Sequence, residues 1–480
     1  MIDPSRLDTL PESTNTLILG GGIAALSVAF HLEDSEYCLL EKKGKLGGHA
    51  CSHLENGVVW DEGPHVSFTE NEYVRQMFAS AVDNQLNEIE VQIRNRVGDQ
   101  WVDHPIQSNL YQLSEPLRTQ CFESIRNALS SETVDKEQIN YSDWINARFG
   151  ACFSTEFLEK YTKKFWTVSP ALMSTDWMGH RISTPNVEDL TDGFLGKSSN
   201  SKHYIRKVRY PIDGGFESFL NDLIEGCSNC YVNQEVVEVD LAKKTATTAS
   251  GQTIRWEKLV NTLPLPVFIN LCKQTTSAIR EVVNVLCCTQ VALVNAVAPS
   301  VSANPGHWVY VYDESMLSTR ISFPGKLSES IVPRNYNAMQ VEVYYSKFRP
   351  LTEPIAEVAK KVMSELVDLG LINASDQNQC LVSTQWIPWA NILFTVNTRA
   401  ALETLWTFLS QWGLAREDGD TDPVPRWDIA PRAVDPGTIF MTGRYGYWKY
   451  YWTDDCVLRG KVLAERIVCH ERVLSRPVTL

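Results

Sequence analysis

The chain has 480 residues, 44% of them hydrophobic and 21% charged, with a formal net charge of −14 at pH 7. That length exceeds one simple core and points to two or three domains of ordinary globular composition. The acidic balance argues against a nucleic-acid-binding face, while leaving room for a locally basic pocket that takes an anionic small molecule.

Met1 to Asn15 read as a loose tail with too little positive charge for a targeting signal. Thr16 to Leu19 then form a short buried strand, Gly20 to Gly22 a turn, Ile23 to Leu32 a helix, and Tyr37 to Leu40 a second strand ending at Glu41. This is a βαβ unit carrying a dinucleotide fingerprint, with Ala25 in place of the third glycine. Gly20 permits the tight turn. Gly22 lets the backbone approach a pyrophosphate, and a small residue at 25 allows close helix–strand packing. The helix N-terminus presents free N–H groups to the phosphates. Glu41, about 20 residues on, is placed to accept hydrogen bonds from a ribose hydroxyl.

Gly57 to His65 read as a strand running into a Gly-Pro turn. From Asn71 the spacing of Val74, Met77, Phe78 and Val82 is helical, and Val91 to Val102 read as a hairpin around Gly98-Asp99. A helical region dense in aromatics, Trp144 to Trp177 among them, extends to about residue 200, and most of those rings belong to a core. Tyr210 to Leu220 contain a Gly-Gly turn leading into a helix. Tyr231 to Leu241 and the stretch from Leu259 read as strands. Val291–Ala298, Trp308–Tyr312, Arg320–Phe323 and Met339–Tyr345 alternate apolar and polar residues and fit an antiparallel sheet with one solvated face. Ile355–Leu369 and Ala400–Trp412 are amphipathic helices, and Phe440 to Ile467 are strand, turn and helix.

No stretch reads as a membrane span: Leu17 to Leu32 are uncharged but too short. The twelve cysteines are scattered without a secretory signal or a repeating framework, the usage of reduced thiols in a cytoplasmic protein. Cys227 and Cys230 make one Cys-x-x-Cys. A single pair cannot complete a tetrahedral zinc site, so no metal is expected.

Lys42 to Gly48, ending in the Gly47-Gly48 pair, extends the fingerprint and resembles the FAD-binding half of the amine oxidase and protoporphyrinogen oxidase class. A closer resemblance runs through six further motifs. They are Asp61-Glu-Gly-Pro-His65, Trp101-Val-Asp-His-Pro-Ile-Gln107-Ser-Asn109, Phe165-Trp-Thr-Val-Ser-Pro170, Trp177-Met-Gly-His-Arg181 running on to Asn186, His307-Trp-Val-Tyr310 with Arg320, and Gly443-Arg-Tyr-Gly-Tyr-Trp-Lys-Tyr450. In this order they resemble the UDP-galactopyranose mutases, especially the eukaryotic type. The resemblance implies an α/β fold. A discontinuous Rossmann-type FAD domain would comprise 1–70, 205–272 and 395–480, with a mainly helical substrate domain at 71–204 and an antiparallel-sheet substrate domain at 273–394.

It also implies FAD as cofactor, held by Gly20, Gly22, Ala25, Glu41, Gly47, Gly48, His65, Val236, Arg444, Tyr450 and Gly460 and active when reduced. The substrate would be a nucleoside diphosphate sugar, bound by Ile106, Gln107, Asn109, Trp166, Arg181, Asn186, Arg320, Tyr450 and Asp454. His65, Arg181 and Arg320 would carry catalysis. The activity would be isomerase chemistry, a pyranose–furanose ring interconversion through N5 of reduced flavin, in surface polysaccharide biosynthesis. NAD(P)H or another reductant would keep the flavin reduced. Arginine suits a diphosphate on physical grounds, because its planar fork pairs bidentately with phosphate oxygens and never loses its charge.

This chain departs from the mutase pattern. It has no tyrosine near Trp389-Ala-Asn391, it carries Tyr451-Trp-Thr-Asp454 where the mutases have Glu-x-Gly-Asn, and Pro64 stiffens the loop before His65. Those changes leave open an oxidoreductase of the amine oxidase class acting on an amine or ring, since the aromatic run Tyr450-Tyr451-Trp452 suits a cation. The sequence names neither the sugar nor the oligomeric state.

Overall fold

A computed structural model describes residues 9–32, 35–131, 140–178, 182, 184–197, 205–299, 305–417, 419–424 and 437–474. Its first sheet is built from segments far apart in the chain. The strand order is Val236–Asp240, Thr245–Thr248, Thr253–Asn261, Ser13–Leu19, Tyr37–Leu40, Cys230–Tyr231, and Ile439–Met441 pairs with Thr253–Asn261. Ser13–Leu19 lies parallel to both of its neighbours. Leu17, Ile18, Leu19 and Leu39 are wholly buried, as expected of parallel strands covered on both faces.

Helix Ile23–His31 leaves the first strand at Gly22 and packs against the long C-terminal helix Thr453–Leu474. Gly460 makes that contact close: a Cβ there would fall 2.5 Å from the Ser27 Cβ. The Ser27 hydroxyl donates to the Val457 carbonyl at 2.6 Å, which pins the two helices together.

The second sheet has the order Leu381–Leu393, Cys287–Pro299, Tyr336–Tyr345, Arg320–Ser322, Trp308–Val311, Ile93–Val97, Gln100–Asp103. Two features differ from the sequence reading. The predicted hairpin at 91–102 forms, but it joins this sheet, with Ile93–Val97 parallel to Trp308–Val311. Neither face of the sheet's centre is solvated. Helix Ile355–Asp368 covers one face, packing Val358, Val362 and Leu366 on Val294, Val309 and Val341. The alternate positions, Asn295, Gln340, Glu342 and Tyr344, are 1–3% exposed and point inward. A period of two shows only that two faces differ, and here Glu342 and Tyr344 of the polar face line a cavity, while Gln340 donates to Asn295 and the Asp61 carbonyl.

The helical layer closes the third side. Tyr141, Trp144, Phe149, Phe153 and Phe157 are buried, and Phe149, Phe153 and Phe157 follow one another at ring separations of 5.6 and 4.9 Å. Asp61 ties the layers together. Its carboxylate accepts from Ser52 Oγ (2.6 Å), Tyr210 Oη (2.7 Å) and the Phe216 N–H (3.0 Å), while its carbonyl accepts from Gln340 Nε2 at 3.0 Å. Burial pushes the Asp61 carboxyl up to about 6 in spite of those donors. No helix among the described residues is long and apolar enough to cross a membrane.

Candidate active site

The three layers enclose one cavity of about 970 Å³ at the carboxyl ends of the parallel strands, the place where open α/β sheets bind ligands. Gly20, Gly22, Glu41, Gly47, Gly48, His65, Val236, Arg444 and Tyr450 line it together with Ile106, Gln107, Trp166 and Arg320.

The dinucleotide half follows from the backbone. Gly20 has φ +94°, and its Cβ would strike Thr262 Oγ1 at 2.6 Å, so the turn demands glycine twice over. Gly22 differs: its φ of −78° suits any residue, and a Cβ there would meet only the Gly48 Cα, at 3.8 Å. The chain itself does not require glycine at 22. The space in front of it fits a ligand backbone such as a pyrophosphate. Gly47, at φ +115°, donates to the Gly21 carbonyl at 2.8 Å and brings the second glycine pair against the first. Glu41 accepts from the Gly21 and Lys43 N–H groups, both at 2.7 Å, which fixes its carboxylate and leaves lone pairs for ribose hydroxyls. Ala25 is fully buried away from the cavity, and Gly460 belongs to the helix contact described above.

His65 and Arg444 face the same space. His65 Nδ1 donates to the Gly63 carbonyl at 2.9 Å, so Nε2 is the acceptor of the neutral ring. Burial, with His49 and Arg444 nearby, pulls its pKa down to about 4. Arg444 donates from Nη2 to Asn391 Oδ1 at 3.1 Å and lies 4.7 Å from the Tyr450 ring centroid. Its Nε is buried without a hydrogen-bond partner, and no carboxylate pairs with it among the described residues. A half-buried cation that lines the cavity in that condition is suited to an anionic or electron-rich ligand.

On the sheet side of the cavity Arg320 is already engaged. Its Nη2 donates to Glu342 Oε1 at 2.8 Å and its Nε to Oε2, while Tyr344 Oη donates to Oε1 at 2.6 Å. Tyr310, Arg320 and Glu342 are successive cross-strand partners, so strand register sets the geometry. Only part of the guanidinium fork remains for a ligand.

Trp166 lines the cavity edge-on to Trp177 at 5.2 Å, and Ile106 is 2% exposed. Three other expected contacts lie elsewhere. Asn109 turns back to donate to the Pro105 carbonyl at 3.1 Å. Asn186 is an exposed helix cap, accepting from the Asp189 N–H at 2.8 Å. Asp454 sits in the first turn of the last helix, off the cavity lining, where neighbouring Asp455 accepts from the Trp452 N–H. Arg181 lies outside the described residues. Glu342, Tyr344 and Asn391 were not among the expected site residues. The alternation of Gln340, Glu342 and Tyr344 with apolar residues marks one polar face, without saying what that face meets.

A family model for an NAD(P)-binding Rossmann-like domain matches residues 18–81. Among solved structures, a reduced UDP-galactopyranose mutase superposes over 97% of both chains, with a TM-score of 0.83 at 19% identity. The chain has the fold of that mutase. The likeness therefore extends through the helical and sheet layers as well as the dinucleotide sheet. A putative protoporphyrinogen oxidase from Exiguobacterium sp. 255-15 matches over 96% of this chain and all of its own, at TM-score 0.69 and 15% identity. A putrescine oxidase bound to putrescine matches over 95% and 99%, at 0.59 and 12%. No cluster of His, Cys, Asp or Glu among the described residues has the makings of a metal site, and Cys227 and Cys230 are free thiols.

Proposed function

We propose that the protein is a flavin-dependent enzyme acting on a nucleoside diphosphate sugar, converting one ring form of the sugar into the other. The observation that carries this reading is the shared cavity: the glycine cradle and Glu41 open into the same space as Arg320, Trp166, Ile106 and Gln107. FAD fits that cradle, given the free approach in front of Gly22 and the unpartnered Arg444 Nε. Bound and reduced, FAD would supply a nucleophilic ring nitrogen. The chain's own residues do the rest. Gly22 and the N-terminus of helix Ile23–His31 would hold the pyrophosphate, and Glu41 would hold the ribose. Neutral His65 offers an acceptor at Nε2, Arg444 would stabilise negative charge on the bound flavin, and the free part of the Arg320 fork would take phosphate oxygens while Trp166 would stack on a base. The setting proposed with it, from the motif resemblance alone, is surface polysaccharide assembly.

The paired state of Arg320 and the aromatic lining around Tyr161, Tyr310 and Tyr312 favour a second reading, an oxidoreductase acting on an amine or ring. One experiment separates the two. Oxidised and dithionite-reduced protein is incubated with a panel of UDP- and dTDP-sugars. Ring isomerisation by the reduced protein alone supports the first reading. Peroxide formation in air with amines, and no isomerisation, replaces it with the second.

A further inference from the structure

Helices Leu117–Leu129 and Tyr141–Phe153 meet backbone to backbone. Gly150, at φ +71°, breaks the second helix, and a Cβ there would overlap the Ser124 carbonyl. Ser124 Oγ spans the break, donating to the Phe149 carbonyl and accepting from the Cys152 N–H, both at 3.1 Å. The crossing so fixed brings Cys121 Sγ to 3.9 Å from Cys152 Sγ, and both are free thiols. Their access differs. Cys121 is wholly buried, whereas Cys152 is half-buried. Burial, with Cys152 alongside, pushes the Cys121 thiol well above the ordinary range, which makes it a poor nucleophile toward a reagent in solution. Phe153 and Phe157, which follow Cys152 along the chain, line the cavity.

We propose that Cys121 and Cys152 form a reversible thiol–disulfide site, Cys152 taking up a low-molecular-weight disulfide and Cys121 resolving it, and that the closed bond ties the aromatic wall of the cavity to helix Leu117–Leu129. In the first step the Cys152 thiolate attacks one sulfur of the reagent. A bond from Cys152 to that sulfur forms, the reagent's S–S bond breaks, and one small thiol leaves with the proton that Cys152 gave up. In the second step the Cys121 thiolate attacks Cys152 Sγ and displaces the second small thiol, which takes the Cys121 proton. Two protein thiols lose two electrons and two protons, and one small disulfide becomes two small thiols. The bonded length is ~2.05 Å, so the sulfurs close by about 1.9 Å. The proposal holds whichever substrate the cavity takes, and it does not need the flavin.

The test incubates the folded full-length protein with glutathione disulfide, quenches with an alkylating reagent and maps the peptides by mass spectrometry. Wild type should yield the peptides of Cys121 and Cys152 joined, two hydrogens lighter and unalkylated, and dithiothreitol should separate them. Cys121→Ser should stop with glutathione on Cys152, and Cys152→Ser should leave Cys121 unmodified. The closed form should melt at a higher temperature than the reduced form, a shift that neither variant shows. Alkylation of both thiols in wild type overturns the proposal. So does glutathione retained on Cys152 in wild type, a bond that forms only after unfolding in urea, or a closed form whose melting is unmoved. Glutathione on Cys121 in Cys152→Ser overturns the order of the two steps. Should Cys121→Ser fail to fold, Cys152→Ser and the wild-type map decide.

Discussion

Gly22 and Gly20 sit two residues apart and fail for different reasons. A Cβ at 22 meets no chain atom closer than 3.8 Å, so Gly22→Val is expected to fold and to lose FAD. Apo-protein melting should match wild type while the flavin absorbance disappears; retained flavin would refute the cradle. Arg320 and Glu342 form a partly buried pair. Glu342→Ala leaves the guanidinium without its partner and should destabilise by about 2–3 kcal/mol in urea unfolding, somewhat below the ~3–5 for a fully buried pair. Arg320→Lys keeps the charge but loses the fork, and UDP binding by calorimetry should weaken by about 1–3 kcal/mol. His65 gives a pH signature. Its folded pKa of about 4 lies below the unfolded value of about 6.5. Its contribution is therefore complete above pH 6.5 and is lost as pH falls toward 4. Asp61 acts in the opposite sense between about 4 and 6, being raised by burial. The difference between wild type and His65→Gln isolates the histidine, and that difference should shrink from pH 7 to pH 4.

At the scale of elements, the fingerprint was legible because its signals are local: strand, glycine turn and acid all fall within residues 16–41. Tyr37–Leu40 and helix Ile355–Asp368 are likewise close to the sequence reading, since buried runs and helical spacing need no knowledge of partners. The second sheet was legible in strand positions and illegible in surroundings. Nothing local in Gln340-Val341-Glu342 says that the polar face meets a cavity instead of water. Strand Leu381–Leu393 went unread because Pro388 interrupts a mixed run, and the structure accommodates it on an edge. The site was legible in the same uneven way. Glycine positions followed from backbone demands, whereas Asn109, Asn186 and Asp454 were expected by resemblance and proved to serve helix ends and turns. The helix pair supplies a prediction of its own. Gly460→Val would drive a side chain into Ser27 and push the Gly22 end of helix Ile23–His31 out of place. Melting should fall and FAD affinity with it, in contrast to Gly22→Val.

For the whole molecule, the order of strands in the first sheet has a consequence for synthesis. Strand Ser13–Leu19 leaves the ribosome early, but its neighbour Thr253–Asn261 and the strand Ile439–Met441 beyond it come much later. Gly443, Arg444 and the helix that packs on Ile23–His31 come last of all. At translation rates of about 5–20 residues per second, the glycine cradle waits roughly 20–80 s for its final walls. During that time Leu259–Asn261, whose partner is Ile439–Met441, has an unpaired edge. A chain ending at residue 272 should therefore bind no FAD and should depend on chaperones to stay soluble, although it contains every residue of the fingerprint.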